Sequence, residues 1–243
     1  MADRNIAAGL GLAIFGTTFA LGAYLLLGNI PLTATGIGVA VFGVALALTP
    51  LSPIPKQAVI SFVRNSCGSI EALLEAAGAT SRAVYLPLGN SGVIAYVPLK
   101  SGGEVSLQAV AQNDGGIIVR HGGSLGMRVF PPSLGFEAGN PGADSILDVT
   151  VQLENVLVEA TEVAEGVAVV NSEGEIRLEI YRPRLDVDYP RFRIVMGSLA
   201  SCLAAQVVAA ATSRPVQIVE EKRSGKNLSV RLRLLNWTDT LST

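Results

Sequence analysis

Residues 25–38, LLLGNIPLTATGIG, place a Gly-Asn-x-Pro turn between two long apolar runs. Ile6–Leu27 and Ile30–Leu51 are each 22 residues long. At about 1.5 Å per residue, either run exceeds the ~30 Å hydrocarbon core of a bilayer. Gly28, Asn29 and Pro31 leave backbone groups that need water or an interfacial partner, so the turn belongs at a membrane surface. A buried hairpin in a soluble core would need two helices apolar on every face, with too little chain to surround them. A cleaved signal peptide fits poorly, because the first run is long, no small-residue cleavage site follows it, and a second run comes at once. The stretch reads as the bend of a transmembrane hairpin.

Charge supports the division. Apolar residues make up 49% of the 243, but only 16% are charged, against about 25% in ordinary domains. Mean hydropathy is correspondingly high at +0.46. No Asp, Glu, Lys, Arg or His occurs between Arg4 and Lys56. The chain therefore divides into a hairpin anchor, residues 1–55, and a mixed-composition domain, residues 56–243.

The two runs carry matching stripes of small residues. Gly9, Ala13, Gly16, Ala20 and Ala23 recur at spacings of 4, 3, 4 and 3, and Gly36, Ala40, Gly43 and Ala47 repeat the pattern. Such stripes let helices pack closely in lipid, where dispersion rather than the hydrophobic effect drives contact. Only threonines supply polarity inside the runs, so these helices are expected to anchor rather than conduct or transport. Arg4 precedes the first run, and Lys56 and Arg64 follow the second, with no basic residue in the bend. The positive-inside rule places both termini in the cytoplasm. Asn227-Leu-Ser and Asn236-Trp-Thr match the glycosylation pattern but would never meet the machinery on that topology.

Beyond the prolines at 50, 53 and 55, the pattern turns amphipathic. Ile60, Val63, Cys67, Ile70 and Leu74 line one face of a helix over 57–77, which Gly68-Ser69 is expected to divide, with Ser69 as N-cap. AVYLPL and VIAYVPL form a hairpin across GNSG. IIVR and MRVF are short strands in a Gly- and Pro-rich region spanning 100–144. A helix follows over Ile146–Ala164, then a hairpin of GVAVV and EIRLEIY, a helix over Phe192–Thr212, and a hairpin of PVQIVEE and LSVRLRLL. Helix–strand–strand thus occurs three times, at 57–99, 145–182 and 192–235. The expected fold is α+β: the transmembrane hairpin, then an antiparallel sheet with helices on one face. The Ala-rich third helix should be buried.

Catalytic motifs are sparse. HGGSLG contains Gly122-x-Ser124-x-Gly126, the nucleophile-elbow pattern, but MRVFPP follows where a helix is required, and the chain's one histidine, His121, precedes the serine by three positions. No phosphate-loop, dinucleotide or HExxH pattern occurs, and one histidine cannot build a His-based metal site. Cys67 and Cys202 form no framework and read as buried thiols. No cofactor, metal or catalytic residue is expected. A net charge of −2 gives no case for nucleic acid.

The suggestive segment is YRPRLDVDYPRFR, 181–193, with Arg182, Arg184, Tyr189, Arg191 and Arg193. Two of its arginines would open the third helix, where the macrodipole disfavours cations. Either Asp186 and Asp188 offset them, or an external anion or acidic partner does.

Two N-terminal spans, then IEALLEAAGATSRAVYLPL, GVIAYVPL, a Pro-Gly loop and MGSLASCLAAQVVAAATSRPVQIVEE, resemble an uncharacterised family of archaeal membrane-anchored proteins. Its members carry an acidic-to-His-Pro segment before the last helix, where this chain reads DVDYPRFR without the histidine. The resemblance implies architecture and supplies no catalytic residues. The chain's end also resembles small-molecule-binding V4R domains, without their cysteine pattern. Function is expected to be non-enzymatic: assembly with a protein partner or a second copy at the lipid bilayer. The alternative is sensing of a small molecule or anionic lipid at 181–193.

Overall fold

In the computed structural model the described residues are 2–48, 56–89, 92–100, 105–112, 116–121, 123–132, 146–172, 174–185 and 187–241. The prolines at 50–55, the turn residues Asn90 and Ser91, Gly122 and Asp186 lie outside them. The chain forms two compact units, Met1–Ser61 and Phe62–Thr243.

The first unit is a helical hairpin of α1 (Ala2–Leu27) and α2 (Ile30–Leu48). Gly28 adopts a φ of +58°, and the Asn29 side chain caps α2 by accepting the Leu32 N–H at 3.3 Å. Thr17 and Thr18 satisfy their hydroxyls on carbonyls one turn back. The two stripes meet. A Cβ at Gly9 or Gly43 would fall within 3 Å of the backbone of Ala47 or Ala13, and one at Gly16 or Gly36 within 3 Å of Ala40 or Ala20. Leu10, Phe15, Leu26 and Phe42 point outward. Both helices are long and apolar enough to cross a membrane.

The second unit is an eight-stranded antiparallel sheet carrying helices. Its strands are β1 (Val84–Pro87), β2 (Val93–Lys100), β4 (Ile118–His121), β5 (Ser124–Val129), β6 (Gly166–Ser172), β7 (Glu175–Tyr181), β8 (Val216–Ser224) and β9 (Asn227–Leu234), in the order β4-β5-β2-β1-β8-β9-β7-β6. A short β3 (Val105–Ser106) pairs with β10 (Thr240–Leu241). The three helix–strand–strand units are present, and the hairpin of the last one lies between the other two. Its helix α7 (Leu199–Thr212) is therefore central, which explains why it is buried on every side and why alanine, which permits close approach, dominates it.

Strand sequences record how each half of the sheet is covered. β7 alternates strictly, with Ile176, Leu178 and Ile180 buried and Arg177, Glu179 and Tyr181 exposed. One face is packed and the other solvated. β1 and β2 are apolar without alternation because both their faces are covered. Tyr85, Ala95 and Val97 join the main core beneath the helices, while Val84, Leu86, Ile94 and Tyr96 form a second core with Leu107 and Val110 of α4 (Leu107–Gln112).

Three helix expectations are corrected. α3 (Lys56–Ala76) runs through Gly68-Ser69 without a break, and the Ser69 hydroxyl donates to the Asn65 carbonyl instead of capping. Gly68 has a packing role, since a Cβ there would lie 3.0 Å from the Tyr189 hydroxyl. α5 (Ile146–Glu154) ends in a π-helical turn, Asn155–Ala160, short of Ala164. The third helix is two helices: α6 (Pro190–Met196) and α7 meet at Gly197, whose φ of +85° stops the first, and Ser198, whose side chain accepts the Ser201 N–H and starts the second.

Candidate functional site

The 181–193 segment joins β7 to α6, and each of its arginines has an acceptor within the chain. Arg182 donates to Glu165 at 3.2 Å, and Arg184 lies 3.7 Å from Glu165 and 3.9 Å from Glu162. Backbone bonds from Glu165 N–H to Tyr181 O and from Arg184 N–H to Val163 O fasten this loop to the α5–β6 connection. These ion pairs are half-exposed, a setting in which each contributes about 0–1 kcal/mol. Arg191 donates to the Ala79 carbonyl at 3.2 Å. Among the described residues Asp188 makes no ion pair with these arginines; glutamates of other elements take that part.

The negative group at the start of α6 is Glu71 of α3. Its carboxylate accepts the Arg191 N–H at 2.9 Å and also the Phe192 N–H. A buried carboxylate 120 residues away in sequence thus fills the anion position at this helix start. Because α6 is only seven residues long, Arg193 falls in its last turn, where a cation is favoured. Tyr189 precedes α6 as its N-cap residue and packs its ring against Gly68.

A second carboxylate serves α7. Glu221 accepts the Ser198 N–H at 2.8 Å and lies 3.7 Å from the Arg193 Nε. A β-bulge aims it there. Ile218 opposes Leu232 while Glu220 opposes Arg231, so Val219 is the extra residue. Alternation from Val216 and Ile218 would have pointed Glu220 and Lys222 inward; the inserted residue reverses the parity and turns Glu221 toward α7. The α6 carbonyls are satisfied from the β1 side: Arg82 donates to Arg193 O, the Ala83 N–H to Val195 O, and the Tyr85 hydroxyl to Met196 O at 2.6 Å.

The arrangement is a clamp around a helix break. A recess bordered by Pro183, Arg193, Ser198 and Glu221 has about 10 Å³ of free space, room for about one water molecule. Nearby nucleophiles are kept protonated. Burial pushes the Cys67 thiol up to about 11 and the Cys202 thiol up to about 12, and burial also raises Tyr85 well above its ordinary value. Ser124 is buried at the start of β5, which continues as a strand. Gly126 lies against the ring of Tyr96, so its small size serves the second core. Among the described residues no three His, Cys, Asp or Glu side chains converge as metal ligands.

The residues missed at the sequence level are Glu71 and Glu221. Glu221 stands at the end of an apolar run, VQIVEE, where a single inserted residue decides its direction; Glu71 lies on the packed face of α3 only because α6 docks there. In comparisons with known proteins, no family model, curated protein or solved structure matches the chain.

Proposed function

We propose that the protein is a two-span membrane-anchored, non-enzymatic assembly subunit, with both termini and the sheet domain on the cytoplasmic side, whose partner is a second copy of the chain. The observation that carries this is the β6 edge. Edge strands are ordinarily blunted by charge, proline or a bulge. β6, GVAVVNS, has none of these and pairs with β7 in unbroken register over all seven residues. Val167 and Val169 are only partly buried, Val170 is exposed on the opposite face of the strand, and Val151 of α5 is exposed as well. A neutral strand is complementary to itself. With Ala168 opposite its mate, Val167 would face Val169 of the second copy, joining two cores across a two-fold axis. Confinement to one bilayer raises the effective concentration of such partners.

Sensing of an anion at 181–193 has less support, because the arginines there are already bonded within the chain. The test is native mass spectrometry of the full chain in mild detergent, with and without Val169→Lys. A dimer that the substitution converts to monomer supports the reading. A native chain that is monomeric and brings no stoichiometric protein partner sinks it.

A further inference from the structure

The solvated face of β7, β9 and β8 poses an electrostatic problem. Arg177 of β7 stands directly opposite Arg231 of β9, and like charges in that relation repel at a Cβ separation of about 5 Å. Carboxylates relieve one partner only. Arg231 pairs with Glu220 at 2.9 Å and reaches Glu175 at 3.8 Å. Among the described residues Arg177 has no acceptor, the Ser229 hydroxyl has none, and the buried Nε of Arg231 has no hydrogen-bond partner. Lys222 stands directly opposite Ser229 and pairs with Glu220 at 3.6 Å. Glu179, the residue opposite Ser229 on β7, accepts the Tyr181 hydroxyl at 3.4 Å.

These groups border one recess of about 230 Å³, lined by Arg177, Glu220, Lys222, Ser229 and Arg231. Its lining carries three cations and one carboxylate. We propose that this recess binds a phosphate or phosphate monoester, with Arg177 and the Ser229 hydroxyl as its principal donors, Lys222 turning to it from Glu220, and Arg231 closing one side. The donors approach from three strands, which suits a tetrahedral dianion with several acceptor oxygens; a planar carboxylate would be met by a single guanidinium fork. The site goes beyond assembly through β6, and it uses none of the 181–193 arginines. A free phosphate group and an anionic lipid headgroup share this chemistry.

The experiment titrates inorganic phosphate by calorimetry into the full chain held in phosphatidylcholine nanodiscs. Saturable binding is expected, weakened about tenfold by Arg177→Gln, the loss expected for one charge-assisted bond. Arg233→Gln should leave it unchanged, since that guanidinium pairs with Glu175 and does not line the recess. Both positions are exposed, and matching thermal unfolding of the two variants confirms folding. Repeating the titration in nanodiscs doped with phosphatidic acid separates the sources. Phosphate uptake abolished there assigns the site to a lipid headgroup, and uptake retained assigns it to a soluble phosphate. No saturable binding in phosphatidylcholine, or binding indifferent to Arg177→Gln, overturns the site. Because the oligomeric state is not read, failure here leaves the β6 reading standing.

Discussion

Glu221 and Ser198 meet across the gap between sheet and helix, the carboxylate oxygen accepting the Ser198 N–H at 2.8 Å. The bond exists because Val219 is an extra residue in β8. Glu221→Ala removes the acceptor from a part-buried donor and should cost about 1 kcal/mol or more. Glu221→Gln, which keeps a carbonyl oxygen at the same reach, should cost less. Deleting Val219 should be the most damaging, since it re-aims every later side chain of β8. Thermal unfolding of the full chain in detergent ranks the three, and equal losses for Ala and Gln would refute the capping role.

Glu71 does the same for α6, and two N–H groups depend on it. Glu71→Ala should lower stability by about 1–3 kcal/mol. Hydrogen exchange at Arg191 and Phe192 should accelerate while exchange in β9 changes little. Exchange that stays slow at both amides would mean that the helix start is held by other contacts.

The hairpin glycines divide into two groups. Gly9, Gly16, Gly36 and Gly43 face the backbone of the opposing helix, whereas Gly11, Gly22 and Gly38 have open space where a Cβ would be. Leucine at Gly16 or Gly43 should separate the helices, and leucine at Gly11 or Gly38 should not. Spin-label distances between Leu10→Cys and Val44→Cys, both at outward-facing positions, read the difference; equal distances in both groups would contradict the packing.

Both thiols should resist alkylation in the folded chain. Relative to the ordinary value of 9.0, a thiol at about 11 or about 12 has roughly a hundredfold or thousandfold less thiolate near neutral pH. Iodoacetamide should therefore label Cys67 and Cys202 only as denaturant is added. The folded state retains protons that the unfolded chain releases above pH 9, so this contribution to stability is complete below about 9 and is lost as pH rises toward 12. Stability rising with pH across that window would contradict it.

Gly126→Ala should disturb the second core although it adds a single methyl. The added carbon would collide with the Tyr96 ring, and overpacking of this kind costs about 1–3 kcal/mol. Pairing it with Tyr96→Phe, which keeps the ring, should rescue little; pairing it with Tyr96→Leu should rescue more. The double-mutant cycle measures the difference.

What was legible in the sequence was whatever rests on local period and turn chemistry. The two apolar runs, their small-residue stripes and the strand hairpins all follow from neighbouring residues. The division of the third helix was readable too, since Gly197-Ser198 is a helix stop followed by an N-cap, but the unbroken apolarity around it hid the signal. The placement of the last hairpin between the other two, and the caps from Glu71 and Glu221, depend on residues far apart in the chain or on one bulge, and no local pattern specifies them. The arginines of 181–193 stood out by composition, while their partners were set by docking.

The central position of α7 has a consequence for biosynthesis. The α6–α7 stretch, Pro190–Thr212, is 23 residues long and matches α1 and α2 in mean hydropathy, yet it is enclosed by protein where they are not. The strands that join the two halves of the sheet, β8 and β9, are translated after it. Until they arrive, the two halves of the sheet are not joined and this segment lacks the part of its cover that β8 supplies. Arg191 and Arg193 at its start, with Gln206 within it, are then the features that weigh against its entry into lipid. The hairpin that completes the sheet is also the one that finishes enclosing a segment apolar enough to cross a membrane.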